Sequence, residues 1–107
     1  MNPPFFSIII PTYNRAHIIP NTISSVQTQT FSNWELIIID NNSSDQTKKK
    51  ISNIDNKKIF FYQVNNCGNV ANSRNYGISK SIGKYLSFLD SDDWWTPTKL
   101  EITKQYI

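Results

Sequence analysis

Short apolar runs alternate with longer polar stretches along the chain. The apolar runs cover residues 5–10, 34–39, 58–64 and 85–89. Their length and their continuous apolar character are typical of strands that are covered on both faces of a parallel sheet. Pro11 closes the first run, so residues 11–14 are expected to form the loop that leaves the first strand. The second run ends at Asp40.

Helical spacing appears between these runs. After the first run, Ile19, Ile23 and Val26 recur at intervals of three and four residues, which predicts one apolar helical stripe. Pro20 is tolerated because it falls in the first turn of this helix. The helix is expected to end by Thr30. Further helices are predicted over residues 46–54, 70–81 and 97–107, with a turn over residues 65–69 before the third helix.

The third predicted helix has an apolar stripe of its own. Val70, Ala71, Ile78 and Ile82 are its members, and they are expected to pack on the sheet. Arg74 falls on the same stripe, four residues after Val70 and four before Ile78. A guanidinium group in that position either extends outward to solvent or points at a ligand above the edge of the sheet.

Four strand–helix units in strict alternation predict the α/β class. We expect an open parallel sheet of about four strands with helices on both faces. The 107 residues contain no repeat, linker or low-complexity tract, so one domain is expected, and it is small for an enzyme with two substrate sites. In such sheets ligands bind beyond the carboxyl ends of the strands. Polar residues follow each strand at that predicted edge.

The most unusual of these polar segments follows the fourth strand. Asp90, Asp92 and Asp93 lie within four residues of each other, and two tryptophans come next. Two like charges about 6 Å apart repel by roughly 3 kcal/mol at an effective dielectric of about 20, so the cluster favours a bound cation. Carboxylate oxygens without histidine or cysteine suit Mg²⁺ or Mn²⁺. The alternative is an acidic turn in which Asp93 or Thr96 caps the last helix.

The same edge offers groups for a phosphorylated ligand. The chain has three glycines and none of the glycine-rich phosphate loops, so a diphosphate would need a metal together with Arg74 or Arg15. Asp40 stands where open α/β sheets place an acid against a ribose or base. Tyr13 offers an aromatic face for a base, or else packs at the rim on the first helix.

Composition narrows the class of protein. The net charge of +3 and the lysines at 48–50 and 57–58 predict a solvated basic face, with weak attraction to anionic lipid as the alternative. Aromatic residues are not interleaved with these lysines, which argues against nucleic acid. The single cysteine excludes an internal disulfide and favours the cytoplasm. No apolar run is long enough for a membrane span, and no signal peptide is indicated.

Four segments of the chain have distinctive sequences at the predicted carboxyl edge. They read SIIIPTYNR at 7–15, ELIIIDNNSSD at 35–45, NSRNYG at 72–77 and YLSFLDSDD at 85–93. In this order and spacing they resemble the signatures of the family 2 glycosyltransferases of the GT-A fold. The resemblance covers essentially the whole chain. It implies a nucleotide-diphospho-sugar donor, with UDP as the expected nucleotide, Mn²⁺ or Mg²⁺ as cofactor, and transfer of the sugar with inversion.

The resemblance also implies roles for particular residues. The first segment would line the base and ribose pocket, Asp40 would hold the nucleoside, and Arg74 would face the diphosphate. The metal would be held by Asp92 of the D-x-D motif, with Asp90 and Asp93 as further candidates. The residues implied in nucleotide-sugar binding are Pro11, Thr12, Tyr13, Asn14, Arg15, Asp40, Asn41, Arg74, Asp90 and Ser91.

The chain departs from the family pattern in two ways. Asn41 replaces a carboxylate that often reads the base, and Asn42 replaces a glycine, for which asparagine can substitute at positive φ. The chain is also about half the usual length. It resembles the donor-binding half, 1–107, with the general base expected in the missing half; Glu101 is the one candidate after Asp93. Trp94 and Trp95 would then cover surface that favours self-association.

Two alternatives to a glycosyltransferase remain at this point. One is a non-catalytic nucleotide- or metal-binding fragment that lacks the acceptor half. The other is a phosphohydrolase of the haloacid dehalogenase type, because Asp90 and Asp92 also match its strand-borne D-x-D motif. The expected location is the cytoplasm, with peripheral contact at the inner face of the membrane as the alternative. The sequence does not identify the sugar or the acceptor.

Overall fold

A computed structural model describes residues 3–65 and 69–107 of the chain. Strands and helices alternate throughout these residues, as the sequence predicts. The turn predicted over residues 65–69 includes residues 66–68, which lie outside the described residues. The elements are β1 Phe6–Thr12, α1 Ile19–Gln27, β2 Trp34–Asp40, α2 Thr47–Ser52, β3 Ile59–Gln63, α3 Val70–Lys80, β4 Tyr85–Phe88 and α4 Lys99–Gln105.

The four strands form one parallel sheet in the order β3-β2-β1-β4. The predicted α/β class with an open parallel sheet is therefore confirmed. Strands β1 and β2 are central and buried along their whole length, which explains their unbroken apolar sequence. Their register pairs Thr12 with Asp40, so the two strands end side by side at the carboxyl edge.

The main core lies on one face of the sheet, beneath α1, α2 and α4. Its centre consists of fully buried isoleucines and leucines, including Ile8 and Leu36 from the strands, Ile23 from α1 and Leu100 from α4. Each side chain of this size contributes about 1.5–3 kcal/mol when fully buried. The stripe predicted for the first helix, Ile19, Ile23 and Val26, is confirmed as its buried face.

Helix α3 packs on the opposite face through small residues. Ser73 and Gly77 are its buried positions, and a Cβ added at Gly77 would lie 2.7 Å from Cγ2 of Ile9. The predicted apolar stripe is therefore wrong as the packing face: Val70, Ala71, Ile78 and Ile82 are all exposed. The helix approaches the sheet so closely that only small side chains fit between them.

The edge strands of the sheet are β3 and β4, and β4 pairs only with β1 among the described strands. The sequence predicts a buried strand, but the side chains of Leu86 and Phe88 are 43% and 44% exposed. They lie on the face of the sheet that α3 covers, because they pair with Ser7 and Ile9 of β1. Since α3 packs over β1 and β2, it leaves this part of β4 uncovered.

The first strand is longer than the sequence predicts, because it continues through Pro11 to Thr12. The alternating hydrogen bonds of a parallel strand direct the nitrogen of Pro11 toward β4. The last bond across that side joins the amide of Leu89 to the carbonyl oxygen of Ile9, so no donor is needed at Pro11. Helices α2 and α4 are both shorter than predicted.

At the amino end of the strands, the buried carboxylate of Glu35 links β1, β2 and the loop before β4. Glu35 accepts hydrogen bonds from the Ser7 hydroxyl at 2.5 Å and from the amide of Ile82 at 2.8 Å. The amide of Gly83 donates to Ser7 Oγ at 2.7 Å. A Cβ at Gly83 would lie 2.4 Å from the same oxygen, so the loop before β4 depends on glycine there. None of the helices in the described part of the chain has the length and apolar character to cross a membrane.

Candidate functional site

A cavity of about 410 Å³ opens at the carboxyl edge of the sheet. It lies where the ends of β1, β2 and β4 meet the start of α3, which is the expected position for a ligand in an open α/β sheet. The residues that line it are Pro11, Thr12, Tyr13, Arg15, Asn41, Val70, Ser73, Arg74, Asp90, Ser91 and Asp92.

Most of the residues predicted from the sequence thus come together around one cavity. Three of the predicted residues do not line it: Asn14, Asp40 and Asp93. Two lining residues were not predicted, Val70 and Ser73. Val70 was assigned to the apolar stripe of the third helix, and Ser73 lies next to Arg74 in the NSRNYG segment, which is the signal that could have identified it.

Asp40 is fully buried and turned toward its own loop. Its carboxylate accepts hydrogen bonds from the backbone amide of Ser43, at 3.0 Å, and from the Ser43 hydroxyl. Asn42 lies between them with a φ of 54°, which confirms the positive φ predicted at this position. Asp40 therefore shapes the turn that presents Asn41, whose side chain lines the cavity.

Asn14 joins the β1–α1 loop to the β2–α2 loop. It has a φ of 50°, and its Oδ1 accepts from the amides of Ser44 at 2.8 Å and Asp45 at 3.3 Å. The backbone amide of Asn14 donates to Ser43 Oγ at 2.9 Å. A few residues later, the amide of Ala16 donates to Asp45 at 3.2 Å. These bonds fix Tyr13 and Arg15 on either side of Asn14.

The carboxylate of Asp45 also joins the two loops. Burial opposes its ionisation, but hydrogen bonds from the side chain and amide of Thr47 and from the amide of Ala16 outweigh that effect. The pKa of the Asp45 carboxyl is therefore held below its ordinary value. The network favours the charged form, and acid is expected to loosen it.

Arg74 and Asp90 form an ion pair at the mouth of the cavity. Nη2 of Arg74 lies 3.0 Å from Oδ1 of Asp90, and the two side chains are 40% and 61% exposed. Exposed pairs of this kind stabilise a fold by only about 0–1 kcal/mol. The Nε of Arg74 is buried and has no hydrogen-bond partner among residues 3–65 and 69–107. An anionic ligand would therefore contact the exposed part of the guanidinium group, which is 40% exposed as a side chain.

The acidic segment between β4 and α4 has little regular structure, yet it is well anchored. The amide of Asp93 donates to the carbonyl oxygen of Asp90 at 3.0 Å, which closes a turn around Asp92. Asp93 Oδ1 accepts from the amide of Trp94 at 2.8 Å. Helix α4 begins at Lys99 with Thr98 as its N-cap and no capping side chain, so the predicted capping by Asp93 or Thr96 is wrong.

Asp92 is exposed and lines the cavity, as a shared metal ligand would. In the described part of the chain, no three acidic, histidine or cysteine side chains converge on one point. A closed protein cage for a metal is therefore not formed by these residues. One or two carboxylates plus the phosphates of a ligand are the usual arrangement for Mg²⁺, and Asp92 beside an open cavity fits that arrangement.

The fold and the cavity define an α/β protein with a polar ligand site at the carboxyl edge of a parallel sheet. The chain belongs to glycosyl transferase family 2, since the sequence model of that family matches residues 7–107. The predicted family and the GT-A fold are therefore confirmed. The phosphohydrolase alternative has no support from this match.

Curated relatives are named as glycosyltransferases. The chain is 41% identical over 96 residues to WfgD of Escherichia coli, a UDP-Glc:α-D-GlcNAc-diphosphoundecaprenol β-1,3-glucosyltransferase, with 90% of this chain and 38% of WfgD covered. It is 39% identical over 101 residues to TuaG of Bacillus subtilis, a putative teichuronic acid biosynthesis glycosyltransferase, with 92% of this chain and 40% of TuaG covered. The chain thus spans about two fifths of the length of these relatives.

Solved structures agree with the fold. The chain superposes on S. aureus TarS 1-349 in complex with UDP-GlcNAc with a TM-score of 0.90 and 30% identity, over 95% of this chain and 30% of that one. It also superposes on a mannosyltransferase from Pyrobaculum calidifontis in complex with GDP-Man and Mn²⁺, with a TM-score of 0.77 and 20% identity, over 89% of this chain and 29% of that one. The second likeness concerns the fold alone.

Proposed function

We propose that residues 1–107 form the donor-binding half of a glycosyltransferase. In this proposal the chain binds a nucleotide-diphospho-sugar, with UDP as the nucleotide, and the sugar passes with inversion to an acceptor hydroxyl. The observation that supports this most directly is the cavity at the carboxyl edge, where Tyr13, Asn41, Arg74 and Asp92 come together in a chain of this family.

The two ends of the cavity suit the two ends of a nucleotide sugar. Tyr13 is 50% exposed and follows β1, and Asn41 follows the neighbouring strand β2, so these two residues offer a flat aromatic surface and an amide to a base. Asp92 follows β4, on the other side of β1, and together with Arg74 it suits a diphosphate with its counterion. Ligands of UDP type also occur in TarS, which has been solved with UDP and with UDP-GlcNAc.

The remaining lining residues have smaller roles in the proposal. Arg15 is a second cation at the rim of the cavity, and Ser91 lies between the two acids. The hydroxyl of Thr12 is buried without a hydrogen-bond partner among the described residues, so it is one of the polar groups there that a ligand or water would satisfy. Asp40 and Asn14 act indirectly, because their hydrogen bonds hold the loops that present Asn41 and Tyr13.

A divalent cation, Mn²⁺ or Mg²⁺, is proposed to be held by Asp92 together with the phosphates of the donor. When bound, such an ion neutralises the charge that develops on the departing diphosphate. Arg74 stabilises the same charge from the side of α3, and it exchanges Asp90 for a phosphate oxygen to do so. Breaking the ion pair costs little free energy, because the pair is exposed.

Transfer with inversion requires a base that accepts the proton of the acceptor hydroxyl. Glu101 is not suited to this role, because it lies on α4 away from the cavity and accepts a hydrogen bond from Thr30 at 3.0 Å. The base is proposed to lie in sequence that corresponds to the remaining three fifths of relatives such as WfgD. The same observation favours a second candidate, a chain that binds the nucleotide sugar without transferring it.

The acceptor and the location are also matters of proposal. The name of WfgD specifies a diphosphoundecaprenol-linked acceptor, so we place this chain in the synthesis of a polysaccharide at the cytoplasmic face of a membrane. The lysines at 48–50 are all exposed on α2 and provide a weak attraction to anionic lipid. Self-association through the exposed Trp94 side chain remains part of the proposal and is checked by light scattering against protein concentration.

Thermal unfolding with nucleotides tests the binding proposal. The purified chain is measured with UDP, with GDP and without nucleotide, each with and without Mn²⁺. Ligand at a hundred times its dissociation constant adds about 2.7 kcal/mol, which raises the Tm of a domain of this size by roughly 10 °C or more. We expect this shift with UDP and Mn²⁺ together.

Two variants make the experiment specific. Asp92→Asn removes the proposed metal ligand, and Asp55→Asn changes an exposed carboxylate in the loop before β3. The Mn²⁺-dependent shift is expected to disappear in the first and to persist in the second. The absence of any nucleotide shift in the wild-type chain would refute binding. Sugar transfer by these residues alone would refute the non-catalytic candidate.

A further inference from the structure

The acidic segment, residues 89–98, is held in position by hydrogen bonds from α1. Residues 89–98 connect β4 to α4 without a helix or strand, yet Asp90, Ser91 and Asp92 line the cavity from this segment. Regular structure does not hold them, so other contacts must. The hydroxyl of Thr22, on α1, donates toward the carbonyl oxygens of Ser91 at 2.9 Å and Asp93 at 2.7 Å.

These two carbonyl groups flank Asp92 on both sides. Thr22 is only 2% exposed, and one hydroxyl proton serves both acceptors, so the contact is short, shielded from water and specific in geometry. It fixes the peptide group before Asp92 and the peptide group after Asp93. The direction in which the Asp92 carboxylate leaves the segment is set by that backbone.

Gln29 secures the other end of the same segment. It lies two residues beyond the end of α1, and its Nε2 also donates to the carbonyl oxygen of Ser25 on that helix at 3.0 Å. Its Nε2 donates to the carbonyl oxygen of Thr96 at 2.7 Å, and its Oε1 accepts from the amide of Leu100 at 3.0 Å. The irregular segment is thus held at two points, by Thr22 on α1 and by Gln29 just after it, and Thr22 is the contact beside the acids.

We infer that Thr22 is a positioning residue for Asp92 and thereby sets the metal-dependent part of nucleotide affinity. The inference rests on the proposed function, because it takes UDP and Mn²⁺ as the ligands. It distinguishes Thr22 from Tyr13, Asn41 and Arg74, which line the cavity themselves. Loss of the Thr22 hydroxyl is expected to affect binding through Asp92 alone.

Three variants separate this role from general stability. Thr22→Val keeps the shape of the side chain and removes the hydroxyl, and Thr22→Ser restores it. Thr28→Val is the matched control, because Thr28 is exposed near the end of α1 and its hydroxyl donates to Ser24 within the same helix, at 2.9 Å. Each variant is compared with the wild-type chain.

The first measurement is hydrogen exchange of the peptide that covers residues 89–98, followed by mass spectrometry without any ligand. The second is calorimetric titration with UDP, with and without Mn²⁺. In Thr22→Val, exchange over residues 91–95 is expected to be about tenfold faster, and the gain in UDP affinity from Mn²⁺ is expected to fall about tenfold. Affinity for UDP alone should be unchanged, and Thr22→Ser and Thr28→Val should resemble the wild type.

Several outcomes would overturn the inference. Unchanged exchange in Thr22→Val would mean that the hydroxyl does not hold the segment. Faster exchange with a full Mn²⁺ effect would mean that the position of the segment does not set metal-dependent affinity. If the wild-type chain bound no UDP, the proposed function and the binding part of this inference would both fail, while the exchange data would still decide whether Thr22 holds the segment.

Discussion

The cavity has two sides that are built in different ways. The base side consists of the loops that follow β1 and β2, and the acid side consists of Arg74 with residues 90–93. On the base side, Asn14, Asp40 and Asp45 accept hydrogen bonds from backbone amides, and two asparagines adopt positive φ. On the acid side, Arg74 and Asp90 form a partly exposed ion pair, and Asp92 is exposed.

This difference indicates a division of labour. The base side is organised before a ligand arrives, because its carboxylates and amides already have partners within the protein. The acid side is held mainly through its backbone, and its one ion pair is exposed, so Arg74, Asp90 and Asp92 can rearrange around the proposed diphosphate. Substitutions on the base side should therefore change the free energy of unfolding, and those on the acid side should change binding.

The largest effect is expected from Asp40→Ala. This change removes a buried carboxylate that accepts two hydrogen bonds from Ser43, and such bonds to a charged group contribute about 1.5–3 kcal/mol each. We expect a loss of about 3 kcal/mol in the free energy of unfolding, measured by urea denaturation. Asp92→Ala is the control from the acid side and should change it by less than about 0.5 kcal/mol. Equal losses would contradict the comparison.

A smaller loss is expected at Asn14. Asn14→Gly keeps a backbone that accepts a φ of 50° but loses the side-chain acceptor, whereas Asn14→Ala loses both. Losses of about 1 kcal/mol for glycine and about 2 kcal/mol for alanine follow. The same denaturation experiment measures both variants. If the two lost the same amount, backbone strain at Asn14 would have no part in the stability of the loop.

Arg74→Met should have little effect on folding. Its ion pair with Asp90 is exposed, so the free energy of unfolding should fall by no more than about 1 kcal/mol. The affinity for UDP should nevertheless fall at least tenfold, because a charge-assisted contact to the diphosphate is lost. Calorimetry on the folded variant measures this. Unchanged affinity would remove Arg74 from the site, and Arg74→Lys would show whether charge alone suffices.

The smallest effect concerns acid. Because the pKa of Asp45 is lower in the folded chain than the ordinary value of 3.8, its contribution to stability is complete above that value. The contribution is lost as the pH falls through the folded pKa. The wild-type chain should therefore lose more stability between about pH 5 and pH 3 than Asp45→Asn does, by urea denaturation at each pH. Parallel losses would assign the acid sensitivity to other carboxyl groups.

The fold was largely predictable because the apolar runs are long enough to define buried strands. The sequence did not predict which helix surface packs on which part of the sheet. The packing of α3 depends on how closely Gly77 lets the helix approach Ile9, and hydrophobic periodicity contains no information on that distance. The exposure of Leu86 and Phe88 likewise depends on which strands α3 covers.

The site was predictable as a set of residues but not as a set of roles. Strand order places the ends of β1, β2 and β4 together, so motifs at those ends had to converge. Whether a side chain points into the cavity or into its own loop depends on turn geometry, as the inward carboxylate of Asp40 shows. Thr22 was missed, although a polar residue beside Ile19 and Ile23 on a buried stripe is a signal that it needs a partner.

The buried carboxylate of Glu35 has a consequence for how the chain folds. It joins Ser7 to the loop before β4 across sequence separations of 28 and 47 residues. Contacts between such distant residues form only after long loops have closed, which slows their appearance during folding. We therefore expect this network to be completed after the rate-limiting step, so that Glu35→Gln accelerates unfolding in stopped-flow experiments and leaves the refolding rate nearly unchanged.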